Sequence, residues 1–230
     1  MNSILAIIPA REGSKSIKLK NIYEISGRPL IDYSIQLAKE LFDKKKIENH
    51  IVSTDSEVIA DIASSFGANI PFLRPKEISK DDSKSYEFIE HALNFYLAKG
   101  KTYDAVLLLQ PTSPLRSFDI VSAAIDKFYS LKSESLISVY KDEYINDLVM
   151  YTSDNGDSLK PHNSDHNKGV RRQEHGINYI RNGSIYITKS SYLLENKRII
   201  SDFPDMIEMS KTSSINIDSQ ADLDLLLKIL

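Results

Sequence analysis

Short apolar runs alternate along this chain with longer segments in which apolar positions recur three or four residues apart. Ile4 to Pro9 is unbroken apolar sequence, the pattern of a strand buried on both faces of a parallel sheet. Pro29 opens a helix whose Leu30, Tyr33, Leu37 and Leu41 make an inward stripe. His50 to Ser53 is a second strand, after which Thr54-Asp55-Ser56 caps a helix running to about Phe66, where Gly67 stops it. Ile70 to Leu73 predicts a third strand, ending in Arg74-Pro75. The polar stretch Ser79 to Ser85 is expected as a mobile loop, leading to a helix from about Tyr86 to Ala98 that Gly100 closes. Ala105 to Leu109 is the most apolar run and belongs at the centre of the sheet. A helix from Phe118 to Leu131 and a strand from Leu136 to Tyr140 follow. Strands alternating with helices imply an α/β fold of three layers around a mainly parallel sheet.

From about Asp142 to Arg181 this rhythm breaks. Asp154-Asn155-Gly156-Asp157, Pro161-His162-Asn163 and Lys168-Gly169 are turn-rich, and no helical period appears. An irregular insertion between regular units is usually functional or interfacial. Ser184 to Thr188 and Ile215 to Asp218 predict two further strands. Gln220 to Leu230 predicts a helix with Leu223, Leu226, Leu227 and Leu230 on one face.

Composition narrows the function classes. The 230 residues suit one large domain, and a net charge of −3 lacks the basic excess of a nucleic-acid surface. No cysteine is present, which excludes disulfides, thiolate metal sites and cysteine nucleophiles. No apolar run approaches the ~20 residues of a membrane span, and the N-terminus lacks the basic start of a signal peptide. A cytoplasmic, soluble protein is expected, with neither nucleic acid nor membrane as partner. None of the five histidines has a metal-site spacing; His162 and His166 are four apart, but beside Pro161 and Asn163 they read as a surface loop.

The candidate chemistry lies just after the first strand. Arg11, Lys15, Lys18 and Lys20 surround the small residues Gly13 and Ser14. Ligands of open α/β sheets sit beyond the carboxyl ends of the strands, and several cations around a Gly-Ser turn favour a polyphosphate. Gly13-Ser14-Lys15-Ser16 is not a Walker loop, because the required glycines are missing. No G-x-G-x-x-G follows a strand, which disfavours a dinucleotide fold.

Ile8-Pro9-Ala10-Arg11-Glu12-Gly13-Ser14-Lys15, followed by Lys20-Asn21, resembles the opening signature of the CMP-sialic acid synthetases, the acylneuraminate cytidylyltransferases. Val52-Ser53-Thr54-Asp55, Leu73-Arg74-Pro75 and Leu109-Gln110-Pro111-Thr112-Ser113-Pro114-Leu115-Arg116 match the same family in order. So do Arg171-Arg172-Gln173 with Asn182-Gly183-Ser184-Ile185-Tyr186 and, more weakly, Ile217-Asp218. The resemblance spans residues 4 to about 224. It implies a three-layer α/β/α nucleotidyltransferase, Rossmann-like in its mainly parallel sheet. Residues 1–141 and 182–230 would form the nucleotide-binding domain, and 142–181 a dimerisation arm inserted in it, making a homodimer.

The implied reaction activates a nonulosonic acid, N-acylneuraminate or legionaminic acid first, with CTP and Mg²⁺ (or Mn²⁺), giving CMP-sugar and pyrophosphate. Ketodeoxyoctonate or pseudaminic acid as substrate, or CTP binding without catalysis, are the alternatives. By resemblance Arg11, Lys15 and Lys20 neutralise the triphosphate, with Ala10, Gly13 and Ser14 in the same turn. Asn21 and Arg74 read the cytosine, and Ser85 contacts the ribose. Gln110, Thr112 and Ser113 face the sugar acid together with Tyr186, and Arg172 takes its carboxylate in a two-pronged fork. Lys18 and Arg116 read as surface charges.

The sequence departs from the family at the metal position. Where two aspartates one residue apart are common, this chain has Asn216 and Asp218. Asp218 remains a hard oxygen ligand, and it also reads as a helix N-cap before Ser219. Ser16 stands where a glycine is common, and Leu148 about where some sialic acid synthetases carry a lysine, which points to a different sugar tail.

Overall fold

A computed structural model describes residues 3–13, 17, 19–168 and 177–229. In chain order these form β1 (Ile4–Pro9), β2 (Glu24–Ile25), β3 (Arg28–Pro29), α1 (Leu30–Asp43), β4 (Asn49–Ser53), α2 (Glu57–Ser65), α3 (Ser85–Leu97) and β5 (Ala105–Leu109). Then come α4 (Phe118–Ser130), β6 (Ser135–Asp142), β7 (Tyr151–Thr152), β8 (Lys160–Pro161), β9 (Asn178–Lys189), α5 (Ser190–Asn196), β10 (Asp205–Glu208) and α6 (Gln220–Leu227). The main sheet has the order β10-β6-β9-β5-β1-β4. β1 is parallel to β4 and β5, β10 is parallel to β6, and β9 alone runs against both its neighbours. β5 is buried at every residue in the middle of the sheet, as its composition predicts.

Three layers follow from strand geometry, since successive side chains leave a strand on opposite faces. Ile4, Ala6 and Ile8 of β1 meet Leu107 and Leu109 of β5 beneath α1, α2 and α4, with Ile35, Ile59 and Ile125 in contact. Leu5, Ile7, Val106 and Leu108 point the other way, onto Ile89 and Leu93 of α3 and Leu193 of α5. A smaller cluster joins Ile17, Ile25 and Leu30 to Ile217, Leu223 and Leu226. That cluster brings the C-terminal segment against the root of the basic loop.

Several sequence expectations are corrected. Ile70 to Leu73 is not a strand: Val52 N–H bonds Asn69 O (2.9 Å) and Arg74 N–H bonds Thr54 O (2.7 Å), but Pro71 between them has no N–H to continue a ladder. Ile215 to Asp218 is also irregular, with Ile217 N–H held by Thr112 O (2.8 Å). The late strand beside β6 is instead β10, and α5 was not foreseen. Leu227, grouped on one face of the last helix with Leu223 and Leu226, is half exposed while those two are buried. In β9, Asn182 to Ile185 lie opposite Ser138 alone, because the register jumps from Ile137↔Tyr186 to Val139↔Arg181. Gly183 takes the positive φ (74°) there that a bulge favours.

Asp142 ends β6 and anchors the irregular segment. Its buried carboxylate accepts from Tyr144 N–H (2.8 Å), Ile145 N–H (2.9 Å) and Lys211 Nζ (2.7 Å). The bond from Lys211, then those backbone donors, hold its pKa at about 2, below the usual 3.8. A carboxyl group depressed in the folded state stabilises fully above its unfolded pKa and loses that contribution as pH falls through the folded one. Asp142→Asn is therefore expected to lower the thermal midpoint at pH 7, with the gap to wild type narrowing from pH 4 and closing near pH 2. A gap independent of pH would remove the carboxylate from this role. No helix among the described residues is long and apolar enough to cross a membrane.

Candidate active site

Because β1, β4 and β5 are parallel, their carboxyl ends share one edge, and the connections leaving it enclose a cleft of about 280 Å³. Arg11, Gly13, Lys20, Asn21, Arg74 and Ser85 line it, together with Gln110, Thr112 and Asp218. Residues from both ends of the chain thus converge where open α/β sheets bind ligands.

The basic loop is stitched to its neighbours through the backbone. Buried Ala10 donates its N–H to Ser53 O (2.9 Å), and Glu12 N–H bonds Asp55 Oδ1 (3.0 Å). Asn21 Nδ2 donates to Arg11 O (3.0 Å), so the side chain expected to read a base also fixes the loop. The two cations described in this loop are carboxylate-paired. Arg11 Nη1 lies 2.5 Å from Asp81 Oδ1, and Lys20 Nζ donates to Asp218 Oδ1 (3.0 Å) and Ile217 O (2.8 Å). The Arg11–Asp81 pair is half exposed and therefore weak, so a polyphosphate can take the arginine over. The polar segment 79–85, expected as a mobile loop with only Ser85 at the ligand, forms a wall of the cleft through Ser79, Lys80, Asp81 and Ser83 as well. Its placement directly after Arg74-Pro75 was the available signal.

Arg74 is buried against Phe88, its guanidinium 4.5 Å from the ring centroid. It donates Nε to Ser53 Oγ (3.0 Å) and Nη2 to Ser53 O. Burial pulls its pKa down to about 10, with Asp55 opposing and Arg11 adding, so it remains a cation at neutral pH. A flat cation fixed on two sides is suited to selective hydrogen bonding at a planar ligand.

The turn after β5 divides its residues. Gln110 and Thr112 line the cleft, and the Thr112 hydroxyl has no protein partner among the described residues. Ser113 does not line it: only 1% exposed, it donates Oγ to Asn216 Oδ1 (3.4 Å). Arg116 is no surface charge. Its buried guanidinium donates to Gln110 O (2.8 Å), Ser184 O (3.0 Å) and Ser34 Oγ (2.5 Å), tying the turn to β9 and α1. Burial lowers its pKa to about 9.

Tyr186 lies outside the first cleft, in the wall of a second of about 320 Å³ shared with Tyr140, Arg181, Gly183 and Asn216. Burial raises its phenol pKa, and Arg181 partly offsets this. Arg181 was passed over in sequence, although it directly precedes the Asn182-Gly183 motif. Asn216 borders the second cleft and Asp218 the first, so the segment 216–218 divides them. Ser14, Lys15, Lys18 and Arg172 lie outside the described residues, as do Arg171 and Gln173.

Asp218 is not a helix cap; Ser219 caps α6 in a reciprocal box with Asp222. Among the described residues no group of three or more His, Cys, Asp or Glu side chains is arranged to hold a metal ion. An exposed carboxylate at the cleft fits a hydrated Mg²⁺, which commonly takes one or two carboxylates and completes its shell with water and substrate phosphates.

Sheet, crossovers and cationic cleft define a three-layer α/β/α protein with a ligand cleft at the strand ends. A family model described as "Cytidylyltransferase" matches residues 5–219, and the chain belongs to that family. It is 34% identical over 229 residues to the N-acylneuraminate cytidylyltransferase of Escherichia coli O18:K1:H7, covering 98% of this chain but 52% of that protein. It is 33% identical to the CMP-N,N'-diacetyllegionaminic acid synthase of Legionella pneumophila, covering 99% and 96% of the two chains. With the pseudaminic acid cytidylyltransferase of Campylobacter jejuni it shares 32%, over 96% and 93%. In fold it is similar to a CMP:2-keto-3-deoxy-manno-octonic acid synthetase solved with CTP, with a TM-score of 0.73, 14% identity and 99% and 98% coverage.

Proposed function

We propose that this protein transfers CMP from CTP to a nonulosonic acid, N-acylneuraminate or legionaminic acid first, with a divalent cation, Mg²⁺ or Mn²⁺. The anomeric hydroxyl oxygen bonds to the α-phosphorus, the bond to pyrophosphate breaks, and the hydroxyl proton passes to solvent. The observation that carries this reading is the convergence of Arg11, Lys20 and Arg74 with Gln110 and Thr112 in one cleft at the strand ends.

Negative charge spreads over phosphoryl oxygens and leaving group during such a transfer, and fixed cations stabilise it. Arg11, Lys20 and Lys15 hold the triphosphate, with the backbone of Gly13 and Ser14 as further donors, while Ala10, whose N–H is bonded to Ser53 O, supports the turn. Asn21 and Arg74 read the base and Ser85 meets the ribose. Gln110, Thr112 and Tyr186 orient the sugar acid, whose carboxylate pairs with Arg172, while Ser113 acts through Asn216 as a positioning residue. Asp218 would hold the cation, which supplies charge neutralisation at the triphosphate.

Segment 142–181 is assigned as a dimerisation arm because Val149, Tyr151, Leu159 and Ile177 leave apolar side chains exposed along it. The protein is placed in the cytoplasm as a homodimer. The test is pyrophosphate release on incubation with CTP, Mg²⁺ and separately N-acylneuraminic, legionaminic, pseudaminic and ketodeoxyoctonic acids. Release with a single acid identifies the substrate, and no release with any overturns the reading. The same preparation should scatter light as a dimer of the 26.0 kDa chain, and a monomer would remove the arm's role.

A further inference from the structure

We infer that Asp218 does not hold a divalent cation by itself and becomes a cation site when a nucleotide triphosphate draws Lys20 away from it. The inference rests on the reading of the cleft as a CTP site, but its first measurement does not require it.

Asp218 is already satisfied. Its Oδ1 accepts Lys20 Nζ at 3.0 Å and its Oδ2 accepts the amide of Asn216. The ammonium is fixed, because it also donates to Ile217 O (2.8 Å) and is only 13% exposed. The amide is oriented too: with Ser113 Oγ donating to its Oδ1, the NH2 end is left to face the carboxylate. Asn216 therefore offers the metal position a donor, where a cation needs an acceptor.

Among the described residues, the two carboxylates that follow Asp218 on α6 are committed elsewhere. Asp222 Oδ2 accepts Asp218 N–H (3.0 Å), Ser219 N–H (2.7 Å) and Ser219 Oγ (2.8 Å), which commits it to the start of α6. Asp224 Oδ1 accepts Gln220 Nε2 (3.1 Å) on the exposed side of the same helix. A divalent cation arriving alone meets a carboxylate that already has a donor on each oxygen and an ammonium 3.0 Å away, whose positive charge repels it. A triphosphate changes the balance by giving Lys20 a more highly charged partner and leaving Oδ1 to the cation. Cation and nucleotide then favour one another's binding, reciprocally.

Electron paramagnetic resonance of free Mn²⁺ provides the test, with the whole chain and no nucleotide. Wild type is expected to leave micromolar Mn²⁺ free, whereas Asn216→Asp, with a second carboxylate beside the same ammonium, binds one ion about tenfold more tightly or better. Lys20→Ala, which releases Asp218 without altering Asn216, should shift binding in the same direction and covers the case in which the first variant does not fold. Tight Mn²⁺ binding by nucleotide-free wild type, or no gain in either folded variant, overturns the inference. Calorimetry with CTP then separates the two readings. About tenfold stronger CTP binding with Mn²⁺ than with a chelator supports the coupling, and equal binding opposes it. No CTP binding in either condition overturns the coupling and the functional reading together, leaving only the Mn²⁺ result standing.

Discussion

Replacing Lys20 with alanine is expected to lower kcat/KM for CTP by about a hundred- to a thousandfold, the loss seen when one preorganised charge-stabilising donor is removed. The side chain is suited to that role because Ile217 O anchors its ammonium at the lip of the cleft, where a triphosphate can replace Asp218 as its charged partner. Stability should change little. The bond to Ile217 is worth about 0.5–1.5 kcal/mol net, and a pair with a largely exposed carboxylate adds about 1 kcal/mol at most. At about 2–4 °C per kcal/mol for a chain of this size, the midpoint should fall by only a few degrees. Lys20→Arg should recover part of the activity, since it keeps the charge and loses the compact ammonium geometry. Pyrophosphate release and scanning calorimetry on the three proteins check both halves. Unchanged kcat/KM in the alanine variant would remove Lys20 from the mechanism.

Arg116→Met should do the reverse, damaging the fold first. The guanidinium satisfies Gln110 O, Ser184 O and Ser34 Oγ where water has little access. Each buried polar group left without a partner costs about 1–3 kcal/mol. Part of this is offset, because a buried cation with no carboxylate among its hydrogen-bond partners is itself costly. A net loss of about 2–5 kcal/mol is the expected outcome, lowering the thermal midpoint by roughly 4–20 °C. Urea denaturation would show the same loss as a shifted midpoint with the slope retained. A midpoint within about a degree of wild type would mean that the three acceptors find other partners. Since Gln110 belongs to the turn that Arg116 holds, KM for the sugar acid should also rise in the folded fraction, with CTP binding less affected.

The contrast between these variants tracks what was legible in sequence. Lys20 could be singled out because a cation-rich turn after an unbroken apolar run is a local pattern, from which the family signature kept Lys15 and Lys20 and set Lys18 aside. Arg116 was read as a surface charge because its partners lie at residues 34, 110 and 184, and nothing near position 116 announces their approach. Ser113 shows the same limit: beside two prolines it looked like one of the turn's contact residues, yet it turns inward to Asn216. Local composition misled over Ile70 to Leu73, where apolar content suggested a strand and Pro71 withheld the N–H that a ladder needs.

Ile4 to Pro9 and Ala105 to Leu109 are strands in sequence and in structure alike. Dense apolar runs have few ways to leave water, and their length and flanking turns select a buried strand. The alternation with helices then determined three layers, and the basic turn pointed to an anion site at one edge. The antiparallel entry of β9, the β10 edge and the approach of residues 216–218 to Lys20 were decided only by the tertiary structure. Each depends on contacts between segments far apart in the chain, for which no local pattern exists. The pairing of Lys20, Asn216 and Asp218 is the consequence that matters most. Sequence showed that an aspartate is missing from the metal position, and packing of Ile217 with the α6 leucines put the remaining one against a lysine.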